Sequence, residues 1–298
     1  MVDNITNKLF LGDNLSVLKK QIPDSSVDLI YLDPPFNSNR NYFIHGSKDQ
    51  KSKSSEPSFK DKWSWDCEVE RAYLELCDSL EEKSHSKMRN SLSALCEICG
   101  KGGLFAYLLF MFERLIELNR CMRDTGSIYL HCDPKISVHL RIVMNIIFGE
   151  KCYLNNIVWC YGLGGSSKRY WSRKHDDILW YCKNERNYYF QPILIPATSN
   201  KMKGQNKKAT DYWLIPAINN KANERCGYPT QKPIALLERI ILSSSREGEL
   251  VLDPFCGSGT TMLVADNLNR RWIGIDNNPQ AIRIAKERIQ NQTAKDVK

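Results

Sequence analysis

No apolar run in this 298-residue chain approaches the roughly 20 residues that span a membrane, and its polar start, Met1-Val2-Asp3-Asn4, lacks the apolar segment of a secretory signal. A soluble, cytoplasmic protein with no membrane partner is expected. Histidine is scarce, at five residues, and the eleven cysteines are odd in number and scattered through otherwise apolar segments. They read as reduced core thiols and not as a disulfide framework. The one zinc-like spacing, Cys96-Glu97-Ile98-Cys99, is followed by Gly100-Lys101-Gly102 and by no second cysteine or histidine pair at ligand distance. It reads as a helix end closed by glycine, and no metal is expected. Phosphate fingerprints are missing too. In Gly257-Ser258-Gly259 the third glycine of Gly-x-Gly-x-x-Gly is replaced by Met262, and no lysine follows as a phosphate-cradling loop needs. A pyrophosphate ligand is therefore not expected.

What is present is one large α/β pattern. At 298 residues and 42% hydrophobic, the chain can bury a single core with a smaller appended lobe. Strands are expected over 8–11, 27–32, 127–131, 156–160, 177–181, 250–252 and 272–275, and helices near 14–21, 104–122, 135–148, 234–244, 260–267 and 279–289. Such alternation implies a doubly wound, mostly parallel, seven-stranded sheet. The first strand can pair beside the strand ending at Asp276, which would place the chain ends in an ordinary connecting loop.

The most informative feature is Asp33-Pro34-Pro35-Phe36, at the end of the apolar run Val27-Asp28-Leu29-Ile30-Tyr31-Leu32. Chemistry in open α/β sheets gathers at such carboxyl ends. Consecutive prolines donate no backbone hydrogen bond, so the carbonyls here and the Asp33 carboxylate form a rigid surface of acceptors beside an aromatic ring. That surface suits an amino group on a flat heterocycle. Taken alone, the tetrad could equally stop a strand and plug a core with Phe36. A second apolar strand, Val251-Leu252-Asp253, runs through Pro254-Phe255-Cys256 into the glycine turn Gly257 to Gly259 and a helix opening at Thr260. The glycines let a ligand approach the backbone, although the turn by itself is also an ordinary strand-to-helix connection. Arg271-Trp272-Ile273-Gly274-Ile275-Asp276 then ends in a carboxylate 17 residues beyond Gly259, about where a ribose-binding acid is expected in nucleotide-binding sheets.

These residues resemble the amino-group DNA methyltransferases, which use S-adenosylmethionine to methylate exocyclic nitrogens of adenine or cytosine. The family's Asp-Pro-Pro-aromatic tetrad matches Asp33 to Phe36, and its Phe-x-Gly-x-Gly donor loop matches Phe255 to Gly259. Catalytic motif first and donor motif last is the β arrangement, a circular permutation of a Rossmann-like methyltransferase fold with the target-recognition region between the two. The resemblance extends to Leu9-Phe10-Leu11-Gly12-Asp13-Asn14, to Gly126-Ser127-Ile128-Tyr129-Leu130-His131 and to Tyr228-Pro229-Thr230-Gln231-Lys232-Pro233, leaving out about 47–90 and 184–212. It implies that Asp33, Pro34, Pro35 and Phe36 are catalytic and that Asp253, Phe255, Gly257, Gly259 and Thr260 surround the methyl donor. Asp276 would accept from its ribose hydroxyls, Asp13 from its adenine amino group, and Thr230 and Lys232 would hold its methionine end. The residues leave a helix cap open for Asp13 and a solvated cap for Lys232. In this family an Asp at the first catalytic position commonly marks adenine N6, with cytosine N4 the alternative.

Such a site requires a flipped base. Acceptors on the two N–H bonds of the target amine favour the pyramidal nitrogen that attacks the methyl group, and an aromatic face offsets part of the unstacking cost. Cys256 reads as a filler, and His131 and His175 as structural. Between 165 and 210 the chain carries ten Lys and Arg against three Asp and Glu, interleaved with Tyr170, Trp171, Trp180, Tyr181, Tyr188, Tyr189 and Phe190. With a whole-chain net charge of +8, the basic excess is concentrated there and suits double-stranded DNA. The expected organisation is a catalytic half over 1–46, a polar insert over 47–90 with a mobile stretch Ser47 to Ser58, a continuation over 91–160, a target-recognition region over 161–227 and a donor-binding half over 228–298. A homodimer and a cognate restriction endonuclease are left open as partners.

Overall fold

The computed structural model describes residues 7–38, 40–44, 56–81, 85–162, 166–197, 201, 203–219 and 221–296. The chain begins with β1 (Lys8–Leu11), α1 (Asn14–Gln21) and β2 (Val27–Leu32), and all six residues of β2 are buried. A strand apolar on both faces belongs inside a parallel sheet covered by helices, and β2 lies there. An antiparallel pair follows, β3 (Arg40–Ile44) with β4 (Glu56–Asp61), then α2 (Cys67–Ser79), α3 (Ser86–Cys99) and α4 (Gly103–Cys121). Next come β5 (Met122–Cys132), α5 (Pro134–Phe148), β6 (Tyr153–Cys160) and β7 (His175–Cys182). A second small pair, β8 (Leu194–Pro196) with β9 (Asn206–Lys208), precedes β10 (Tyr212–Leu214). The chain closes with α6 (Ile234–Ser244), β11 (Leu250–Asp253), α7 (Thr260–Asn267), β12 (Arg271–Asp276) and α8 (Pro279–Asp296).

The main sheet runs β1-β12-β11-β2-β5-β7-β6-β10, parallel from β1 to β5, with β7 antiparallel to both of its neighbours. Among the described residues it has eight strands where seven were expected. The extra one, β10, pairs with β6 over three residues, too short to leave a period in the sequence. As expected, β1 pairs with β12, opposing Leu11 to Asp276. Most of the polar stretch Ser47 to Ser58 lies outside the described residues, and its end forms part of β4. Gly100 closes α3 with a φ of +71°, its N–H donating to the Cys96 carbonyl at 2.9 Å.

Alternate residues of β2 serve two cores. Ile30 and Leu32 join Leu18, Leu95, Leu115 and Leu140 from α1, α3, α4 and α5. Leu29 and Tyr31 join Leu237, Val264 and Ile282 from α6, α7 and α8 on the other face. From β2 the chain passes to β5 on one side, and from β11 to β12 on the other. The order reverses between those two strands, which opens a crevice at their carboxyl ends.

Candidate active site

A cavity of about 730 Å³ fills that crevice, and every site residue expected from the sequence lines it except Gly259. Asp33 to Phe36 enter from β2, Asp253 to Gly257 from β11, Asp276 from β12 and Asp13 from the turn after β1. Gly257 has a φ of +48°, and a Cβ there would come within 3.1 Å of the Tyr228 ring. Its N–H donates to Asp276 Oδ2 at 2.9 Å, while Asn278 N–H donates to Oδ1 at 2.8 Å. The turn is thus pinned to the carboxylate at the end of β12, and burial raises the Asp276 pKa above the ordinary aspartate value. Gly259 serves packing instead. Its φ is +79°, and a Cβ there would sit 2.6 Å from that of Ala285, so its lack of a side chain lets α7 and α8 approach.

Asp33 sits where two charges meet. Its Oδ2 accepts from Lys232 Nζ, so Lys232 reaches the Asp33–Phe36 tetrad, where the sequence had suggested the methionine end of a donor or a solvated cap. Asp33 Oδ1 is buried without a hydrogen-bond partner. A candidate donor, His131 Nδ1 at 3.6 Å, is engaged elsewhere, 2.9 Å from the Tyr31 hydroxyl. Burial pushes the Tyr31 pKa well up, which keeps the phenol protonated. His131 Nε2 lies 3.0 Å from Asp176 Oδ2. Burial opposes the Asp176 charge, but contacts with His131 and Lys232 outweigh it and hold its pKa below the ordinary aspartate value. The imidazole, fully buried, also packs 5.4 Å from the Phe36 ring. His131 thus lies behind the cavity lining, between Tyr31, Asp176 and the Phe36 ring.

Asp61 is one of the residues that sequence reasoning missed. Fully buried at the end of β4, it accepts from the backbone N–H groups of Phe36 at 3.2 Å, Asn37 at 2.8 Å and Ser38 at 2.7 Å, and from Trp63 Nε1 at 3.0 Å. Asn37 takes a left-handed φ of +57°, so successive N–H groups converge on one anion. Arg114, also missed, binds Asp13 Oδ2 at 2.8 Å and Asn14 Oδ1 at 2.7 Å. Asp13 caps α1 through Ser16 N–H at 2.9 Å, as the residues allowed, while its carboxylate faces the cavity. Neither partnership had a sequence signal, because Asp61 stands alone in a lysine-rich stretch and Arg114 inside an apolar helix.

Asp253 turns both oxygens inward, accepting from Phe255 N–H at 3.0 Å and from Thr261 Oγ1 at 2.5 Å, and burial pushes its pKa up to about 7. It shapes the glycine turn from behind. Of the basic cluster, Lys183 is committed to Asn119, donating to its carbonyl and its side-chain oxygen at 2.6 Å, and Trp180 and Tyr181 are core residues. Lys168, Arg169, Arg173, Arg186, Lys201 and Lys203 are exposed.

Residues 27–287 match the DNA methylase family that covers N6 and N4 enzymes. The Type II methyltransferase M.HpaI of Haemophilus parainfluenzae is 38% identical over 193 residues, which cover 62% of this chain and 60% of that protein, so the chain spans less than two thirds of it. The DNA adenine methyltransferase YhdJ of Escherichia coli (strain K12) is 28% identical over 302 residues, covering 96% of this chain and 83% of that protein. Among solved structures, the M1.HpyAVI–SAM complex aligns with a TM-score of 0.55 at 18% identity over 95% of this chain and 98% of its own. The cytosine-N4-specific PvuII DNA methyltransferase aligns at 0.56 and 16% identity over 94% and 85%. The structures share the fold, and the family match covers the β2 tetrad, the glycine loop and the strands that bring them together: this chain belongs to the N6/N4 DNA methylase family.

Proposed function

We propose that this DNA methylase transfers a methyl group to N6 of a flipped adenine in double-stranded DNA. The observation that carries the reading is Asp33 Oδ1, a buried acceptor without a partner in a cavity that Pro34 and Phe36 also line. A buried acceptor left unsatisfied is costly, and an exocyclic amine supplies the missing N–H. The donor of this family, S-adenosylmethionine, supplies an electrophilic methyl group when bound, and the cavity fits it in size and in its glycine-lined cradle. Asp276 and Asp13 would accept from its ribose and adenine groups, and Thr230 with the Gly257 turn would border its methionine end.

Asp33 and the Pro34 carbonyl accept from the amine and favour the pyramidal nitrogen, and the positive charge that develops there is stabilised by the carboxylate. Asp33 Oδ1 then receives the proton the amine releases, while Lys232 balances the charge on Oδ2. Phe36 stacks on the base and is itself backed by His131. Residues 161–227 would form the target-recognition region, with the other boundaries as expected from the sequence. The Type II designation of M.HpaI supports a cognate restriction endonuclease. A cytoplasmic location and a homodimer complete the reading and are checked by fractionation and sedimentation.

Methyl transfer from labelled donor to unmethylated plasmid, followed by nucleoside analysis, tests the proposal. N6-methyl-2′-deoxyadenosine is expected, and N4-methyl-2′-deoxycytidine would assign the alternative target. Asp33→Ala is expected to abolish transfer and leave donor binding within a few fold. Retention of more than about a tenth of the rate, a loss under ~1.4 kcal/mol, would remove Asp33 from the chemistry.

A further inference from the structure

The connection between β6 and β7, a basic arm in its sequence, leaves the sheet at the strand end that carries Asp33. Its neck is closed where Tyr161 N–H donates to the Lys174 carbonyl at 3.2 Å, next to the Cys160–His175 pair that ends the ladder. Residues 162–174 contain no acidic side chain, and Lys168, Arg169, Arg173 and Lys174 are exposed. Tyr170 is 66% exposed and Trp171 is 96% exposed. An indole held almost wholly in water forgoes the burial that normally stabilises it, so its place on a basic arm calls for a partner with both phosphates and flat apolar faces.

The arm is rooted in the active site. Two residues beyond its neck, Asp176 binds His131 at 3.0 Å and lies 3.4 Å from the Tyr161 hydroxyl, and His131 supports Phe36. Five extended residues span at most about 18 Å, so Trp171 stays within roughly that distance of Asp176. Phe36 offers a face to the extruded base, but extrusion also leaves a gap in the duplex and an unpaired partner base. An aromatic side chain that enters a base step offsets lost stacking.

We propose that Trp171 is a positioning residue that enters the duplex at the target step and fills the space the flipped base leaves, with the surrounding lysines and arginines on the flanking phosphates. This rests on the DNA methyltransferase reading above and adds the device that extracts the base. Trp171 touches no reacting atom. Its contribution is to the flipping equilibrium, which distinguishes it from a simple phosphate contact or from a docking point for another protein.

The test uses the full chain and a short duplex carrying the site mapped by modification sequencing of plasmid DNA from cells that express it. One duplex pairs the target adenine with thymine, and the other mispairs it with cytosine, which makes flipping cheap in advance. On the paired duplex, Trp171→Ala is expected to lower the single-turnover rate roughly tenfold and Trp171→Phe to retain most of it. On the mispaired duplex, Trp171→Ala is expected to stay within about twofold of the unaltered chain. Because the side chain is exposed, melting temperatures should be unchanged. Equal losses on both duplexes, or no loss on either, would overturn the wedge and leave the methyltransferase reading standing. An unaltered chain that modifies no DNA would overturn both.

Discussion

At the scale of single residues, the Asp33–Phe36 tetrad owes its shape to a carboxylate outside it. Asp61 gathers three successive N–H groups of the loop that carries Phe36 and adds the Trp63 indole. Asp61→Asn keeps the volume but turns one acceptor into a donor facing other donors, a mismatch worth about 1–3 kcal/mol. The expected outcome is a single-turnover methyl transfer rate lowered about ten- to a hundredfold, with donor affinity within about threefold and a normal circular dichroism spectrum. An unchanged rate would show that other contacts suffice to hold the loop. The tetrad was legible in the sequence because its residue types announce their chemistry. Asp61 was not, because a lone aspartate has the same local signature on a surface as in a nest.

At the scale of elements, two glycines of one loop divide the labour. Gly257 leaves room beside Tyr228 at the cavity, whereas Gly259 lets α7 and α8 abut. Gly259→Ala forces an L side chain into a left-handed backbone and a methyl against Ala285, so a stability loss of about 1–3 kcal/mol is expected, read as a lower urea midpoint with an unchanged slope. Donor affinity at temperatures where the variant remains folded should change little. A variant as stable as the unaltered chain, but unable to bind donor, would instead place Gly259 in the donor site.

At the scale of the molecule, the permuted order brings strand ends from both termini into one crevice, and with them Asp33, Asp253 and Asp276. Burial, followed by the charges of Asp33 and Asp276, raises Asp253 from an ordinary value of 3.8 to about 7 despite its hydrogen bonds. Between those values the folded chain holds a proton that the unfolded chain has released, so this group's contribution to stability declines as pH rises from about 4 to about 7 and then levels. Asp253→Asn has no charge to bury. Its melting temperature relative to the unaltered chain is therefore expected to climb across that interval, and a difference independent of pH would show that Asp253 is ionised throughout.

The sequence by itself determined the doubly wound sheet, the pairing of the first strand with the last, and the meeting of the Asp33 tetrad with the glycine loop. Each depends on local period or on residue types with few alternative uses, and strands buried on both faces leave continuous apolar runs that are hard to misread. Tertiary structure alone decided that β10 extends the sheet, that Lys232 binds Asp33, that His131 backs Phe36 and that Asp61 holds the loop. These contacts join residues far apart in the chain, or elements too short or too polar to show a period. Side chains brought together by folding leave no spacing to read, because their distance is set by the packing of the sheet and its helices and not by the number of residues between them.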